Sequence, residues 1–456
     1  MNRMLLWSLQ KISFLLFSII TISAYAAEDA PKTVDHSLLL QRQAGFFRFN
    51  FDDVKMPNKN QSMGLLGLHY FIHLTPTFYG GLGAYGAMTG TQGGLFVLGG
   101  GGGLQQGFAE HWMGDINLYV GGGGGKSSLV GGGLMLRPSM GILYEWRGTR
   151  FGLHYSYITF PNGEIRSQQI GLDLDLPADF YYLLPTHDNQ TGWIDFNEVK
   201  LPSGQYLGYR RNNLGLFLQT YRQKPNTRNS GGDVQDGAMW LIGAEWDHYF
   251  ADHLFWWVKT SGAFSGIPNG YMDVLGGLGG EQLLMSNGLS LIPQLGLGAG
   301  GGGMVDTAGG LLVNPLLGIE WPLTSRFSTR LSGGYIWAPQ GNFKAFVMTG
   351  ELLYHLNFAT ADSSFSNHED GRYEIHHFRM QLLNQTYFHP ERSQSDLASP
   401  IHLLAIELDQ LITPHFFFTY QAAGAYRGYR AGGYATGAIG PGIESSRFLK
   451  DHLQFF

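Results

Sequence analysis

His154 and Ser156 are the residues of this chain whose types and spacing come closest to a catalytic pair. They lie two residues apart in the segment Phe151-Gly-Leu-His-Tyr-Ser-Tyr157, where apolar and polar residues alternate. Successive side chains of a strand point to opposite faces, so the alternation predicts a strand that carries both residues on one face. A neighbouring base can activate a serine hydroxyl as a nucleophile. The other interpretation is an ordinary polar pair on the inner face of a sheet.

The pair is followed by Phe160-Pro-Asn-Gly-Glu164, and this short stretch resembles the active strand of outer-membrane lipid A 3-O-deacylases. The resemblance implies an esterase in which His154 is the general base and Ser156 the nucleophile, with a downstream acid for which Glu164 is the candidate. We keep this activity as an alternative. Our main interpretation is the polar pair, in a protein that is not an enzyme.

Several histidines lie on common faces of predicted strands, as metal ligands do. His69 and His73 share one face, and Glu374, His376 and His377 lie together near a later strand. Catalytic zinc needs three protein ligands in one constellation, and the sequence places no third ligand beside either group. We therefore predict a polar inner lining, with no metal and no cofactor.

The elements that would position these residues are strands with an aromatic face and a polar face. Phe47-Arg-Phe49-Asn-Phe51 shows the pattern, and Leu404, Ile406 and Leu408 alternate with Ala405, Glu407 and Asp409. Charged residues make up only 14% of the chain and aromatic residues another 14%, against a usual charged share of about 25%. An apolar outside and a polar inside are typical of a bilayer-spanning β-barrel. The predicted fold class is therefore all-β, an antiparallel transmembrane β-barrel.

The chain also repeats itself. Gly83-Ala-Tyr85 is echoed by Gly262-Ala-Phe264 and by Gly424-Ala-Tyr426. We infer two full copies, at about 42–205 and 206–371, and a partial third copy at about 372–456. The half copy could hardly close alone, and open sheet edges are not tolerated in lipid. We therefore expect one continuous closed sheet of about 14–20 strands, forming a single barrel domain over residues 27–456.

The first 26 residues have the pattern of a secretory signal peptide. Arg3 and Lys11 flank the start of an apolar run, and Ala24-Tyr-Ala26 provides a small-x-small cleavage site. This pattern predicts export, with a mature chain that begins near Ala27.

The carboxyl end resembles that of Gram-negative outer-membrane proteins, whose last strand ends in an aromatic residue such as Phe456. The resemblance implies localisation in the outer membrane and recognition by the barrel-assembly machinery. Two structures remain open for this segment. Its apolar residues fit a helical period, whereas Ser446-Arg-Phe448 matches Ser325-Arg-Phe327 at the start of an alternating strand, and we favour the closing strand.

The glycine runs have three possible roles. Gly99–Gly103, Gly121–Gly125 and Gly300–Gly303 are costly in strands, at about 0.5–1 kcal/mol per residue relative to alanine. They can let a sheet curve and close, leave a bare strip for a packed helix or plug, or form a groove for a linear ligand.

We predict an outer-membrane protein that is a pore for passive transport or a structural surface protein. Its predicted partners are the lipid bilayer and an unknown small solute. The net charge of -6 gives no sign of the basic surface that binds nucleic acid. A soluble secreted β-sheet protein that binds a ligand is a further alternative. The predicted lumen and binding residues are Asp173, Asp175, Arg330, Glu351, Arg379, Glu407 and Asp409.

Overall fold

The computed structural model describes residues 38–57, 61–125, 127–183, 193–195, 199–200, 208–266, 270–360, 372–374, 377–388, 400–413, 415–428 and 432–445. The predicted signal peptide and the carboxyl-terminal segment that ends at Phe456 lie outside these residues.

Most of the described residues are in strands. The strands are β1 (Leu38–Gln43), β2 (Gly45–Lys55), β3 (Ser62–His73), β4 (Phe78–Ala87), β5 (Phe96–Ala109), β6 (Trp112–Gly123), β7 (Met135–Trp146), β8 (Thr149–Thr159), β9 (Arg166–Pro177), β10 (Phe180–Leu183), β11 (Trp193–Asp195), β12 (Val199–Lys200), β13 (Gly208–Gln223), β14 (Ala238–Ala251), β15 (Leu254–Gly266), β16 (Met272–Gly280), β17 (Gln282–Leu283), β18 (Ser290–Gly301), β19 (Leu311–Pro322), β20 (Phe327–Trp337), β21 (Lys344–Thr360), β22 (Arg372–Glu374), β23 (His377–Tyr387), β24 (Ile401–Thr413), β25 (Phe416–Arg427) and β26 (Ala435–Ile443). One helical turn, α1, spans Ser127–Val130. Within the described ranges, no helix is long and apolar enough to cross a membrane.

Strands β2 to β9 form a closed barrel of eight strands, which we call the first barrel. Each strand pairs antiparallel with the next, and β9 pairs back onto β2 from Phe46↔Pro177 to Phe51↔Leu172. The ring therefore leaves no open edge along these strands.

A second closed ring, the second barrel, is formed by β13 to β16 and β18 to β21. It closes where β13 pairs with β21, from Gly208↔Thr360 to Gln223↔Ala345. Strand β17 is a two-residue extension that pairs with β18 beside the ring.

The remaining described strands form smaller sheets. Strands β23 to β26 make a four-stranded antiparallel sheet, which we call the third sheet. Strand β1 pairs with β10 and β12, and β11 pairs with β22.

The all-β architecture with antiparallel sheets that close into barrels is confirmed, but the expected closure is wrong. Among the described residues, the strands do not join into one continuous sheet of about 14–20 strands. The first ring closes on itself because β9 pairs with β2 rather than with β13. Eight tilted strands already suffice to close a barrel whose interior is filled by side chains.

The two faces of the ring strands differ as the alternation predicts. In β8, Phe151, Leu153 and Tyr155 point outward and are 46%, 57% and 45% exposed. His154 and Ser156, on the opposite face, are buried in the lumen. The rings are thus largely apolar outside, whereas their interiors combine buried polar residues with buried apolar clusters.

Several glycines lie where the inner wall of a ring is crowded. A Cβ at Gly83 would lie 2.1 Å from Nδ1 of His69, and one at Gly99 would lie 2.1 Å from the carbonyl oxygen of Val120. Gly83 thus leaves room for the ring of His69, and Gly99 lets the backbone of β5 lie close to that of β6.

Other glycines allow separate sheets to touch backbone to backbone. A Cβ at Gly122 of the first barrel would lie 2.6 Å from the carbonyl oxygen of Gly424 in the third sheet. Between the two barrels, the amide of Gly93 donates a 2.8 Å hydrogen bond to the carbonyl oxygen of Ala308. The bare strips therefore pack against neighbouring sheets and loops, and Gly124 packs against Val130 of α1.

We predict that Gly99→Ala destabilises the first barrel by about 1–3 kcal/mol, because the added methyl group overpacks a crowded wall. The control is Gly107→Ala in the same strand, where a Cβ would meet nothing within 4 Å. This control should be neutral or slightly stabilising. The measurement is urea unfolding of refolded protein in detergent, and equal effects at the two positions would contradict the crowding.

Candidate functional site

The first barrel holds a charged cluster around Arg48 that crosses the lumen. Its Nε and Nη2 donate to the carboxylate of Asp175 at 2.6 and 2.7 Å. Nη1 and Nη2 donate to Asp115 at 2.9 and 3.1 Å. The hydroxyl of Tyr79 accepts from Arg48 at 2.9 Å and donates to Asp115 at 2.8 Å. One guanidinium thus ties β2 and β9 to β4 and β6 across the barrel.

A second cluster, towards the other end of β2, surrounds Asp52. Nε of Arg137 donates to one carboxylate oxygen at 2.8 Å, and Oγ of Ser156 donates to the other at 2.6 Å. Nε2 of His154 lies 2.8 Å from that second oxygen. Nδ1 of His154 lies 2.8 Å from Oδ1 of Asp173. Asp52 therefore joins β2, β7 and β8.

The structure brings His154 and Ser156 together but does not build a catalytic triad from them. Ser156 is fully buried and donates its proton to Asp52, while His154 lies between two carboxylates. Glu164 is exposed in the turn after β8, and its role as an acid stays a prediction. The arrangement is a buried polar network rather than an accessible nucleophile.

The second barrel has its own cluster, centred on Arg330 of β20. Its Nη2 donates to Asp247 at 2.7 Å and to Glu320 at 2.9 Å. Its Nη1 donates to Glu245 at 2.9 Å and lies 3.4 Å from Glu351. The Arg330 side chain is completely buried, so four carboxylates from three strands share one desolvated guanidinium.

The third sheet repeats this chemistry in a more open setting. Nε of Arg379 donates to Asp409 at 2.9 Å, and Nη1 donates to Glu444 at 2.6 Å. Nε2 of Gln421 donates to Glu407 at 2.6 Å. The Arg379 side chain is 27% exposed, compared with 3% for Arg48.

The seven predicted lumen residues all lie in strands whose polar faces form these clusters. Asp173 and Asp175 belong to the first barrel, Arg330 and Glu351 to the second, and the others to the third sheet. That any of them binds a solute stays a prediction.

Several members of the clusters were missed at the sequence level. They are Arg48, Asp52, Tyr79, Asp115, Arg137, Glu245, Asp247, Glu320 and Glu444. The alternation marks some of them, because Arg48, Asn50 and Asp52 occupy every second position of β2. Their partners come from strands distant in sequence and are fixed only by the closure of the ring.

Aromatic rings fill the part of the first lumen between the charged clusters. His69 lies 4.9 Å from the ring of Tyr85 and 5.2 Å from that of Tyr119, and it stacks on Phe71 at 5.5 Å. All four residues are buried. The interior is thus packed by side chains, as expected for eight strands.

Comparisons with known proteins return solved structures only. No protein-family profile and no curated protein sequence matches the chain. The NanC porin is 6% identical, with 69% of this chain and 100% of that chain covered and a TM-score of 0.17. The COG4313 outer membrane channel from Pseudomonas putida F1 is 10% identical, with 72% and 100% covered and a TM-score of 0.17. OpdQ from Pseudomonas aeruginosa is 9% identical, with 88% and 96% covered and a TM-score of 0.20. The barrel assignment made here rests on the strand pairing described above.

We predict that Arg48→Met destabilises the first barrel by about 3–5 kcal/mol, because it leaves two buried carboxylates without their cation. The control is Arg150→Met in the same barrel, whose ion pair with Glu145 is partly exposed at 20% and 41%. A pair of that kind contributes at most about 1 kcal/mol. Tryptophan fluorescence during urea unfolding in detergent measures the free energy of unfolding of both variants. Similar losses of stability in the two variants would contradict the role of Arg48.

Proposed function

We propose that the chain is an outer-membrane β-barrel protein that serves as a pore for passive transport or as a structural surface protein. The observation that carries the proposal is that each closed ring has an outer face and an inner face of different polarity. In β9, Ile170 and Leu172 are 71% and 57% exposed on the outer face, whereas Asp173 and Asp175 are buried inside. Such a ring has no unpaired edge and presents mainly apolar side chains to its surroundings, with exposed polar residues such as Asp53 and Arg166 near the strand ends.

A bilayer is the environment that suits this outer surface. Large apolar residues are exposed on strands all around both rings, including Ile116, Leu153, Leu295, Leu331 and Met348. Soluble proteins rarely expose contiguous apolar surface on this scale, and each such side chain gains about 1.5–3 kcal/mol when it leaves water. This surface argues against the alternative of a soluble secreted protein that binds a ligand.

The outer membrane is favoured over other membranes by the ends of the sequence. The predicted signal peptide would direct export, and the aromatic carboxyl terminus resembles the segment that the barrel-assembly machinery recognises. Closed barrels are one of the two structures that satisfy every backbone polar group in lipid.

Between the two roles, the packed lumens support a structural surface protein in the conformation described. Arg48 and its carboxylates span the first lumen, and Arg330 with its four carboxylates spans the second. Passage of a solute would require these clusters to move aside. An acyl-ester hydrolase gains no support, because Ser156 is buried and bonded to Asp52.

The membrane assignment predicts that the expressed protein stays with the outer-membrane fraction after a carbonate wash and needs detergent for release. Its folded form should migrate differently on a gel before and after boiling, because closed barrels resist unfolding by detergent at low temperature. Recovery in the soluble periplasmic fraction without detergent would overturn the proposal.

The filled lumens predict that the wild-type protein gives no steady open-pore current in a planar bilayer. Replacing Arg48, Asp115 and Asp175 together by serine removes the first cluster without leaving an unpaired charge. This variant should also give no steady current, because the Asp52 cluster and the buried rings of Tyr85 and Tyr119 still fill the lumen. A large, steady wild-type current would assign the pore role instead.

A further inference from the structure

The first barrel contacts the second barrel through the loop at the end of β4, residues 86–94, which we call its docking loop. The loop lies against residues 299–310, from the end of β18 to the start of β19, which we call the receiving turn of the second barrel. The amide of Gly93 donates a 2.8 Å hydrogen bond to the carbonyl oxygen of Ala308. A Cβ at Gly93 would lie 2.4 Å from Oγ1 of Thr307, so the absence of a side chain lets the two backbones meet.

The third sheet contacts the first barrel in the same way. The amide of Gly432, in the loop that follows β25, donates a 2.8 Å hydrogen bond to the carbonyl oxygen of Gly131, in the turn before β7. Gly131 and Ala308 both have a left-handed backbone, with φ angles of 61° and 49°. The loop after β25 is therefore the docking loop of the third sheet, and the segment between β6 and β7 is the receiving turn of the first barrel.

A further close approach is common to both contacts. A Cβ at Gly310 of the second barrel would lie 2.3 Å from the carbonyl oxygen of Ala87, and a Cβ at Gly133 of the first barrel would lie 2.1 Å from that of Ala425. Gly133 and Gly310 both have a positive φ, of 93° and 104°. The two contacts are therefore one interface that the chain builds twice.

The second barrel has a docking loop of its own, after β15. In each of the three loops, an alanine amide donates a hydrogen bond to a carbonyl oxygen across the loop, and the pairs are Ala87 with Leu95 at 3.0 Å, Ala263 with Tyr271 at 2.9 Å and Ala425 with Tyr434 at 2.9 Å. A glycine precedes each alanine, and these are Gly86, Gly262 and Gly424. A glycine with positive φ precedes each accepting residue, and these are Gly94, Gly270 and Gly433, with φ angles of 84°, 81° and 98°. The described residues of the second barrel's loop thus have the backbone of the two loops that are in contact.

The docking loop of the second barrel is uncovered. A Cβ at Gly262 or at Gly270 would meet nothing within 4 Å, whereas one at Gly424 would lie 2.4 Å from the carbonyl oxygen of Gly122. Phe264, beside Gly262, is 58% exposed. Among the described residues, three docking loops therefore share two receiving turns, and the loop of the second barrel is left without one.

We propose that the docking loop of the second barrel binds the receiving turn of the first barrel in a second copy of this chain, and that the third sheet is an internal cap on that turn. Both halves of the interface are present in one chain, so a second copy is the partner that the uncovered loop fits. Close packing and backbone hydrogen bonds are the interactions that hold apolar walls together in lipid. The two sides of the interface differ, so copies joined in this way form rings or open chains rather than symmetric dimers.

The cap excludes a second copy because it is part of the same chain. A tethered partner is present at an effective concentration on the order of mM, well above that of a separate chain in the membrane extract. The third sheet and a second copy compete for the same receiving turn, and the third sheet binds first. The cap therefore keeps the wild-type chain monomeric.

Weakening the cap should make the full-length chain associate. Gly424→Leu places a side chain against the carbonyl oxygen of Gly122 and leaves both sides of the proposed contact between copies unchanged. In mild detergent, light scattering should give the mass of one chain for the wild type and of two or more chains for this variant. The control is Gly437→Leu in the neighbouring strand β26, where a Cβ would meet only a carbonyl oxygen at 4.0 Å. The control should stay monomeric.

A second substitution identifies the surface that binds. Gly262→Leu adds a side chain to open space, so this variant alone should fold and stay monomeric. Combined with Gly424→Leu, it should return the protein to the mass of one chain, because it obstructs the docking loop of the second barrel as Gly424→Leu obstructs that of the third sheet.

Disulfide trapping tests the same contact without a substitution in the third sheet, because the chain has no cysteine. In the contact between the two barrels, a Cβ at Gly86 would lie 3.1 Å from the Cβ of Ala299. The equivalent pair between copies is Gly262 and Gly122, and an added side chain at the second position also weakens the cap. Co-expression of a tagged Gly122→Cys chain with an untagged Gly262→Cys chain should give a mixed dimer that a reducing agent reverses. A Gly107→Cys chain, with its cysteine at an exposed position of the first barrel, replaces the tagged chain as the control and should give none.

A Gly424→Leu chain that stays monomeric, or one whose association persists when Gly262→Leu is added, would overturn the proposal. Failure of the mixed disulfide to form would overturn it too, and so would a wild type that is already oligomeric, since the cap would then not control association. These readouts report association only, so they can fail while the membrane fractionation and gel tests of the proposed function succeed.

Discussion

Everything in the first barrel depends on the pairing of β9 with β2. That seam runs from Phe46↔Pro177 to Phe51↔Leu172 and turns a meander into a ring. Once the ring has closed, all interior side chains must fit into the narrow lumen of an eight-stranded barrel. Bulky residues such as Tyr85 and Tyr119 then fit only because glycines stand across from them, and a Cβ at Gly67 would lie 2.4 Å from the ring of Tyr85.

The narrow lumen also explains why the charges form dense clusters instead of lining a channel. Moving an ion into an interior of low dielectric constant costs several kcal/mol unless its partners have excellent geometry. Arg48 meets this demand with two carboxylates and a phenol, all within 3.1 Å. Arg330 meets it with four carboxylates. Because the same guanidinium contacts strands on opposite sides of the ring, the cluster stabilises the closure that buries it.

The sequence predicts the faces of the strands better than their closure. Alternation alone places Phe151, Leu153 and Tyr155 outside and His154 and Ser156 inside, because a strand has a fixed period of two residues. It does not predict that Asp52, some hundred residues earlier, meets both His154 and Ser156. The alternation also does not decide whether β9 pairs with β2 or with the first strand of the next repeat copy. Both of those strands have an apolar outer face and a polar inner face. Proximity in sequence is a poor guide to proximity across a ring: the carboxylate that His154 and Ser156 contact is that of Asp52, not that of the nearby Glu164.

The glycine strips solve a second problem, which is how barrels with apolar outer walls touch one another. In lipid there is no hydrophobic gain from burying one apolar wall against another, so association depends on close van der Waals packing and hydrogen bonds. Bulky side chains would hold two walls apart, whereas Gly122 and Gly424 let the backbones meet. At the other contact, Gly93 adds a direct hydrogen bond to Ala308. Glycines that weaken individual strands therefore make possible both the close packing inside each ring and the contacts between separate sheets.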